Sequence, residues 1–166
     1  MEFTGKTWKF GDNINTDLIL PGRAQLFTEA EQLRCVFEAN RPGWVDEVAK
    51  GDVLIGGYNF GMGSSRPAAR SLRNTGLSCM VAESINGLFY RNCVNWGFLA
   101  LECEGIFKAF EEGDQAMVSF ADFTVKNSRT EEILQGQLVP DVLLNTMQAG
   151  GVLPLLEAEG LIGSAK

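Results

Sequence analysis

The chain has 166 residues, 45% of them apolar and 21% charged, with a formal net charge of −7. That length suits one domain with a sizeable core, and the acidic balance argues against a nucleic-acid partner, which needs a cationic footprint. No histidine occurs, so histidine-based nucleophile systems and histidine metal sites are excluded, and acid–base work falls to carboxylates, hydroxyls, Lys or Cys, or to a partner.

The four cysteines, Cys35, Cys79, Cys93 and Cys103, lack C-x-x-C spacing. Cys79 and Cys103 fall in apolar runs and read as small buried hydrophobes of a reducing compartment. No set of them converges as an iron–sulfur cluster would require. Met1 to Lys6 carry neither a basic region followed by an apolar core nor a cleavage site. No run approaches the length that spans a bilayer. A cytoplasmic protein with no membrane contact is expected.

Thr7-Trp8-Lys9-Phe10 alternates and predicts a first strand. Gly11 to Asp17 is dense in turn formers, and Leu18-Ile19-Leu20 is an apolar run stopped by Pro21. Two roles are open to Asp17: the end of a turn, or a carboxylate held at the edge of a cleft. Thr28-Glu29-Ala30-Glu31 is a capping box. It opens a helix with Leu33, Val36 and Phe37 on its buried face, closed by Arg41-Pro42-Gly43. A further helical turn is expected over 44–49.

Val53-Leu54-Ile55 reads as a buried strand running into Tyr58-Asn59-Phe60-Gly61-Met62-Gly63-Ser64-Ser65-Arg66-Pro67-Ala68-Ala69. Gly61 and Gly63 allow a sharp turn and close approach to a ligand. Pro67 suits the first position of the next helix, whose free N–H groups favour an anion. Arg66 can grip a carboxylate or phosphate at two points, and Ser64 and Ser65 add hydroxyls to the same cup. A small anionic substrate fits it. A glycine turn with a serine cap and a surface arginine fits the same residues.

A helix follows over 67–74, with Gly76 just past its end. Then come a strand over 79–82, a helix capped by Ser84 that carries Ile85, Leu88, Phe89 and Val94 to Gly97, and a strand over 98–101. This alternation predicts a parallel α/β core, with the serine loop at the carboxyl ends of its strands, where ligands collect. Residues 115–127 suggest two strands, 140–148 a helix stopped by Gly150-Gly151, and 152–161 a last short helix. There is no repeat, low-complexity tract or linker, so a single domain over 1–166 is expected.

Three ordered motifs carry a resemblance. They are Gly11-Asp12 with Thr16-Asp17-Leu18-Ile19-Leu20-Pro21, then Asn59-Phe60-Gly61-Met62-Gly63-Ser64-Ser65-Arg66, then Phe89-Tyr90-Arg91-Asn92 with Asn95-Trp96-Gly97. Together they resemble the small subunits of isopropylmalate isomerases (3-isopropylmalate dehydratases) and, more broadly, the swivelling domain of the aconitase superfamily, over essentially the whole chain. The resemblance implies an α/β fold, the swivelling β/β/α domain of the aconitase C-terminal type, closing over a large subunit in a heterodimer or heterotetramer. That partner would hold a [4Fe–4S] cluster with one iron open to substrate, this chain binding no cofactor and no metal.

The implied reaction is that of a hydro-lyase, removing and re-adding water across a hydroxy-di- or tricarboxylic acid. The 3-isopropylmalate/2-isopropylmalate pair of leucine biosynthesis comes first; dimethylmalate, methylcitrate, citraconate and homoaconitate types are alternatives. A non-catalytic carboxylate-binding module and a stand-alone lyase are competing classes. By the same resemblance Ser64 is the catalytic base and Asp17 organises acid–base groups on the partner's side. Arg66 holds a substrate carboxylate, and Ser65 and neighbouring amides, Gly63 among them, add hydrogen bonds. Arg91 and Asn92 brace the core. Two departures stand out. Pro67-Ala68 replaces the usual Glu-His, and Gly22 to Phe27 differs from the usual Arg-Tyr-Leu segment near the substrate's variable group. Arg23, in that segment, is either a reader of a distal carboxylate or a solvated charge.

Overall fold

The computed structural model describes residues 1–163. Seven strands, β1 (Glu2–Phe10), β2 (Val53–Gly56), β3 (Cys79–Ala82), β4 (Ala100–Glu102), β5 (Gln115–Ser119), β6 (Thr124–Asn127) and β7 (Ile133–Gln135), form one sheet in the order β4-β3-β2-β1-β5-β6-β7. Strands β1 to β4 are parallel, and β5 to β7 continue the sheet in antiparallel fashion. β1 joins the halves: Glu2 to Lys6 pair with β5, and Thr7 to Phe10 pair with β2.

The helices are α1 (Thr16–Ile19), α2 (Glu29–Arg34), α3 (Trp44–Glu47), α4 (Ala68–Asn74), α5 (Gly87–Trp96), α6 (Ile106–Ala109), α7 (Asp141–Gln148) and α8 (Val152–Ala158), with a 3₁₀ turn over Gly22–Leu26. Alternation along the strands divides the apolar side chains between two cores. Leu54, Met80 and Ala82 face one side, against Ile19, Trp44, Leu72 and Phe89 of the helices. Val53, Ile55, Cys79 and Val81 face the other, against Val118 and Val125 of the antiparallel strands, Ile106 of α6 and Met147 of α7. The sheet therefore curls until its antiparallel half covers the back of its parallel half. Helices, parallel strands and antiparallel strands make three layers, the expected β/β/α arrangement.

Several local expectations shift. α2 ends at Arg34, and Phe37 enters the core from the following turns, at φ 56°. It stacks on Phe10 at 3.8 Å, with Trp44 edge-on to both rings, and aromatic burial offsets the strained backbone. Pro67 sits at the N-cap, one residue before α4. Ser84 does not cap α5. Its hydroxyl accepts from the Asn59 amide at 2.8 Å, and Asn86 caps the helix through the Leu88 amide. β4 starts at Ala100 because the Phe98 amide is spent on closing α5, bonding the Cys93 carbonyl at 2.9 Å. Arg91 lies exposed on α5 and does not brace the core.

Candidate active site

Beyond the carboxyl ends of β1 and β2, residues 11–20 and 57–66 run side by side. The Gly57 amide bonds the Phe10 carbonyl at 3.0 Å, Gly61 bonds Ile14 at 2.7 Å, and the Thr16 amide returns to Met62 at 2.8 Å. On the other side Phe60 exchanges bonds with Ser84 and Asn86, at 3.0 and 2.8 Å. Residues 60–62 are thus pinned from both flanks, and the chain from Gly63 to Arg66 projects from a fixed base. Gly61 has φ 79°, and a Cβ there would lie 2.1 Å from the Phe89 ring. No other residue fits that crossing.

The buried Thr16 hydroxyl accepts the Ser64 amide at 3.1 Å, which sets the serine's backbone while its side chain stays exposed. Among the described residues, neither the Ser64 nor the Ser65 hydroxyl has a hydrogen-bond partner. Arg66 lies mostly covered beside them, its side chain 12% exposed against 59% for Asp17. Its Nη1 contacts Asp17 Oδ1 at 2.5 Å and the Leu20 carbonyl at 3.3 Å. The backbone of Gly22 leaves room for the guanidinium, since a Cβ there would approach Nη1 to 3.2 Å.

Gly63, Ser64, Ser65, Arg66 and Asp17 therefore meet in one place. Arg23 does not join them. It pairs with Glu38 on the surface, with its guanidinium 5.7 Å from the Phe27 ring. Thr16 and the Leu20 carbonyl are the parts the sequence reading passed over. Their signal was the Thr-Asp dipeptide before an apolar run, read for its carboxylate alone.

Two clefts border this region, and charge separates them. One, of about 500 Å³, has the carboxylates of Asp12, Glu83 and Glu104 with Tyr58 and a single cation, Lys108, in its lining. The charge of Glu83, then burial, then Glu104 and Asp12 push the Tyr58 phenol above its ordinary pKa. Such a field repels an anion. The other, of about 480 Å³, opens beside Ser65 and Arg66 and has no carboxylate in its lining.

Among the described residues no three Cys, Asp or Glu side chains are grouped so as to hold a metal ion. All four thiols are buried. Burial raises Cys79 to about 12 and Cys103 to about 11, and pushes Cys93 up as well. No helix among the described residues is long and apolar enough to cross a membrane.

With this geometry in hand, similarity to known proteins decides the family. The sequence matches the aconitase C-terminal domain over residues 13–105. It is 41% identical over 155 residues to the isopropylmalate/citramalate isomerase small subunit of Methanocaldococcus jannaschii, covering 92% of each chain. This chain belongs to the aconitase C-terminal domain family. A second member, the 3-isopropylmalate dehydratase small subunit 1 of Methanopyrus kandleri, is 39% identical over 94% of this chain and 93% of its own. A crystal structure of 3-isopropylmalate dehydratase from Methanocaldococcus jannaschii superposes with a TM-score of 0.91 at 26% identity, covering 97% of this chain and 96% of that one. Within the family the chain groups with small subunits of dehydratases, which are lyases. Pro67 stands at the α4 N-cap with no side-chain cap bond and Ala68 is fully buried, so the helix starts without polar side chains at these two positions.

Proposed function

We propose that this chain is the small subunit of a hydro-lyase acting on a branched hydroxy-dicarboxylic acid, interconverting 3-isopropylmalate and 2-isopropylmalate in leucine biosynthesis. The observation that carries this reading is the pair of unbonded serine hydroxyls beside a covered guanidinium, on a loop pinned at both flanks. In this reading Arg66 takes a substrate carboxylate in two-point contact, and Asp17 and the Leu20 carbonyl hold the guanidinium for it. Ser64 removes the proton from the carbon next to that carboxylate. A serine alkoxide is far too unstable at neutral pH to do so unaided. The Arg66 charge, nearby backbone amides and exclusion of water lower that cost. Ser65 and the Gly63 amide supply hydrogen bonds to the same carboxylate. Arg23, already paired with Glu38, belongs to the rim.

The single chain works as one domain that closes over a cytoplasmic large subunit, and the [4Fe–4S] cluster belongs to that partner. The described residues of this chain do not fit such a group. Held by that partner, such a cluster would supply Lewis-acid chemistry toward the substrate hydroxyl, and this chain's residues would serve the proton and the carboxylate. The test is to coexpress the chain with a cluster-bearing large subunit and assay it anaerobically against a panel of hydroxy acids. Turnover is expected from the assembled pair alone. Turnover by the isolated chain would make it a stand-alone lyase. Tight acid binding by the isolated chain, with no activity in the pair, would make it a sensor.

A further inference from the structure

The loops that follow β1, β2 and β3 meet at one side chain. Asn59 Nδ2 donates to Asn13 Oδ1 at 3.1 Å and to Met62 Sδ at 3.4 Å, and Asn59 Oδ1 accepts from Asn86 Nδ2 at 3.4 Å. Asn86 is the cap of α5, its own Oδ1 taken by the Leu88 amide at 3.1 Å. A single carboxamide thus joins the loop that carries Asp17, the loop that carries Ser64 and the start of α5. The bonds between the three asparagines run one way, from Asn86 to Asn59 to Asn13. In that alignment hydrogen bonds polarise one another.

The backbone points to the same residues. Asn59 has φ 54° and Asn13 φ 55°, in the left-handed region. Asparagine is one of the few side chains that visit it, because its short polar group bonds locally. Glycine takes such dihedrals more readily still, so the turns by themselves do not call for a carboxamide. Residues held this way cluster at active sites, where the surrounding structure fixes them. Here the Ser84 hydroxyl accepts the Asn59 amide at 2.8 Å, and the Tyr58 carbonyl accepts the Asn13 amide at 2.8 Å.

From Asn59 the path to the reacting groups is short. Met62 is held at its sulfur by Asn59 and at its carbonyl by the Thr16 amide, and Thr16 in turn takes the Ser64 amide. Asn13 stands on the loop of Thr16 and of Asp17, the partner of Arg66. With no hydrogen bond among the described residues, the Ser64 hydroxyl follows its backbone. Displacing a reacting group by about 1 Å costs up to about a hundredfold in rate.

We propose that Asn59 is a positioning residue for the proton transfer: its carboxamide keeps the Asp17 loop and the serine loop in register, so that the Ser64 hydroxyl and the Arg66 guanidinium face one substrate together. Asn59 acts through these groups and does not itself touch the substrate. The proposal rests on the functional reading above.

The experiment assembles the chain with its large subunit and measures kcat and KM per assembled complex. Asn59→Gly keeps the left-handed backbone and removes the carboxamide. It is expected to lower kcat about tenfold to a hundredfold while KM changes less than about threefold. Asn13→Gly, at an exposed position, removes the acceptor and is expected to lower kcat in the same way. Asn13→Asp keeps that acceptor and is expected to recover most of the loss. The double variant Asn13→Gly with Asn59→Gly should fall little further than Asn59→Gly alone, because the two residues share one bond. Parent kcat in both glycine variants, a rise in KM with kcat unchanged, or a loss that only follows the amount of complex assembled would each overturn the proposal. Amide hydrogen exchange in the same complex reads the loop without turnover, and the Ser64 amide should exchange at least about tenfold faster in Asn59→Gly. Faster exchange in a complex whose parent turns over none of the acids would uphold the hold on the loop and sink the functional reading. Parent-like turnover and unmoved exchange in Asn59→Gly would do the reverse.

Discussion

Arg66 carries the site's charge, and under the proposed function its setting is what would let a chain of net charge −7 attract an acid. The guanidinium is mostly covered, fixed by Asp17 and the Leu20 carbonyl, with the serine hydroxyls beside it. Local field, not overall charge, governs a small ligand at this range. A planar fork fits a carboxylate at two points, whereas an ammonium is a point charge. Arg66→Lys is therefore expected to keep the fold and to raise KM of the assembled enzyme. A charge-assisted hydrogen bond contributes about 1.5–3 kcal/mol, so the rise should be roughly tenfold to a hundredfold. Steady-state kinetics check this, with a melting curve as control. An unchanged KM would remove Arg66 from substrate binding.

At the scale of elements, the loop's rigidity depends on Gly61. Its positive φ disfavours any side chain, and its contact with Phe89 falls at the base of the ring, which cannot swing aside. Gly61→Ala is expected to cost roughly 2–5 kcal/mol, combining left-handed strain with overpacking. Denaturant unfolding of the isolated chain measures it; a loss below about 1 kcal/mol would contradict the geometry.

The same elements mark how far sequence could be read. The strand over Val53–Gly56, the Thr28 capping box, the glycine stops at Gly76 and Gly97 and the alternation of strands and helices all arise from local chemistry, and all are present. What depended on distant partners was not legible. Ser84 looks like a helix cap until Asn59 claims its hydroxyl. Phe37 looks helical until the Phe10 and Trp44 rings draw it inward. β7 and α6 are three and four residues long, too short to carry a period. For the site, the serine loop and Asp17 were visible as types, but the 2.5 Å pairing of Arg66 with Asp17 and the meeting of three loops at Asn59 belong to the folded arrangement.

Over the whole molecule, the antiparallel half must stay curled against the parallel half, and one buried carboxylate helps hold it. Asp114 accepts from Arg129 Nε at 2.6 Å, from Asn127 Nδ2 at 2.7 Å and from the Glu111 amide at 2.9 Å. Arg129, ahead of the Glu111 amide and Asn127, holds its pKa well below the carboxylate range. The folded pKa lies below the unfolded one, so this stabilisation is complete above the unfolded value and is lost as pH falls through the folded value. Asp114→Asn is expected to lower the urea midpoint at pH 7, with the gap from the parent narrowing in acid below about pH 4. A gap that stayed constant or widened toward acid would contradict this assignment.

In the proposed function this chain is half of an active site, with Ser64 as base and Arg66 as cation in chemistry completed by another subunit. The direct measurement is kcat of the Ser64→Ala complex, assembled anaerobically with the large subunit and compared with the parent. The complex should form with unchanged stoichiometry, and kcat should fall by roughly 10²–10⁴-fold, the usual contribution of a general base. A Ser64→Ala complex that assembles normally and turns over at the parent rate would contradict the account.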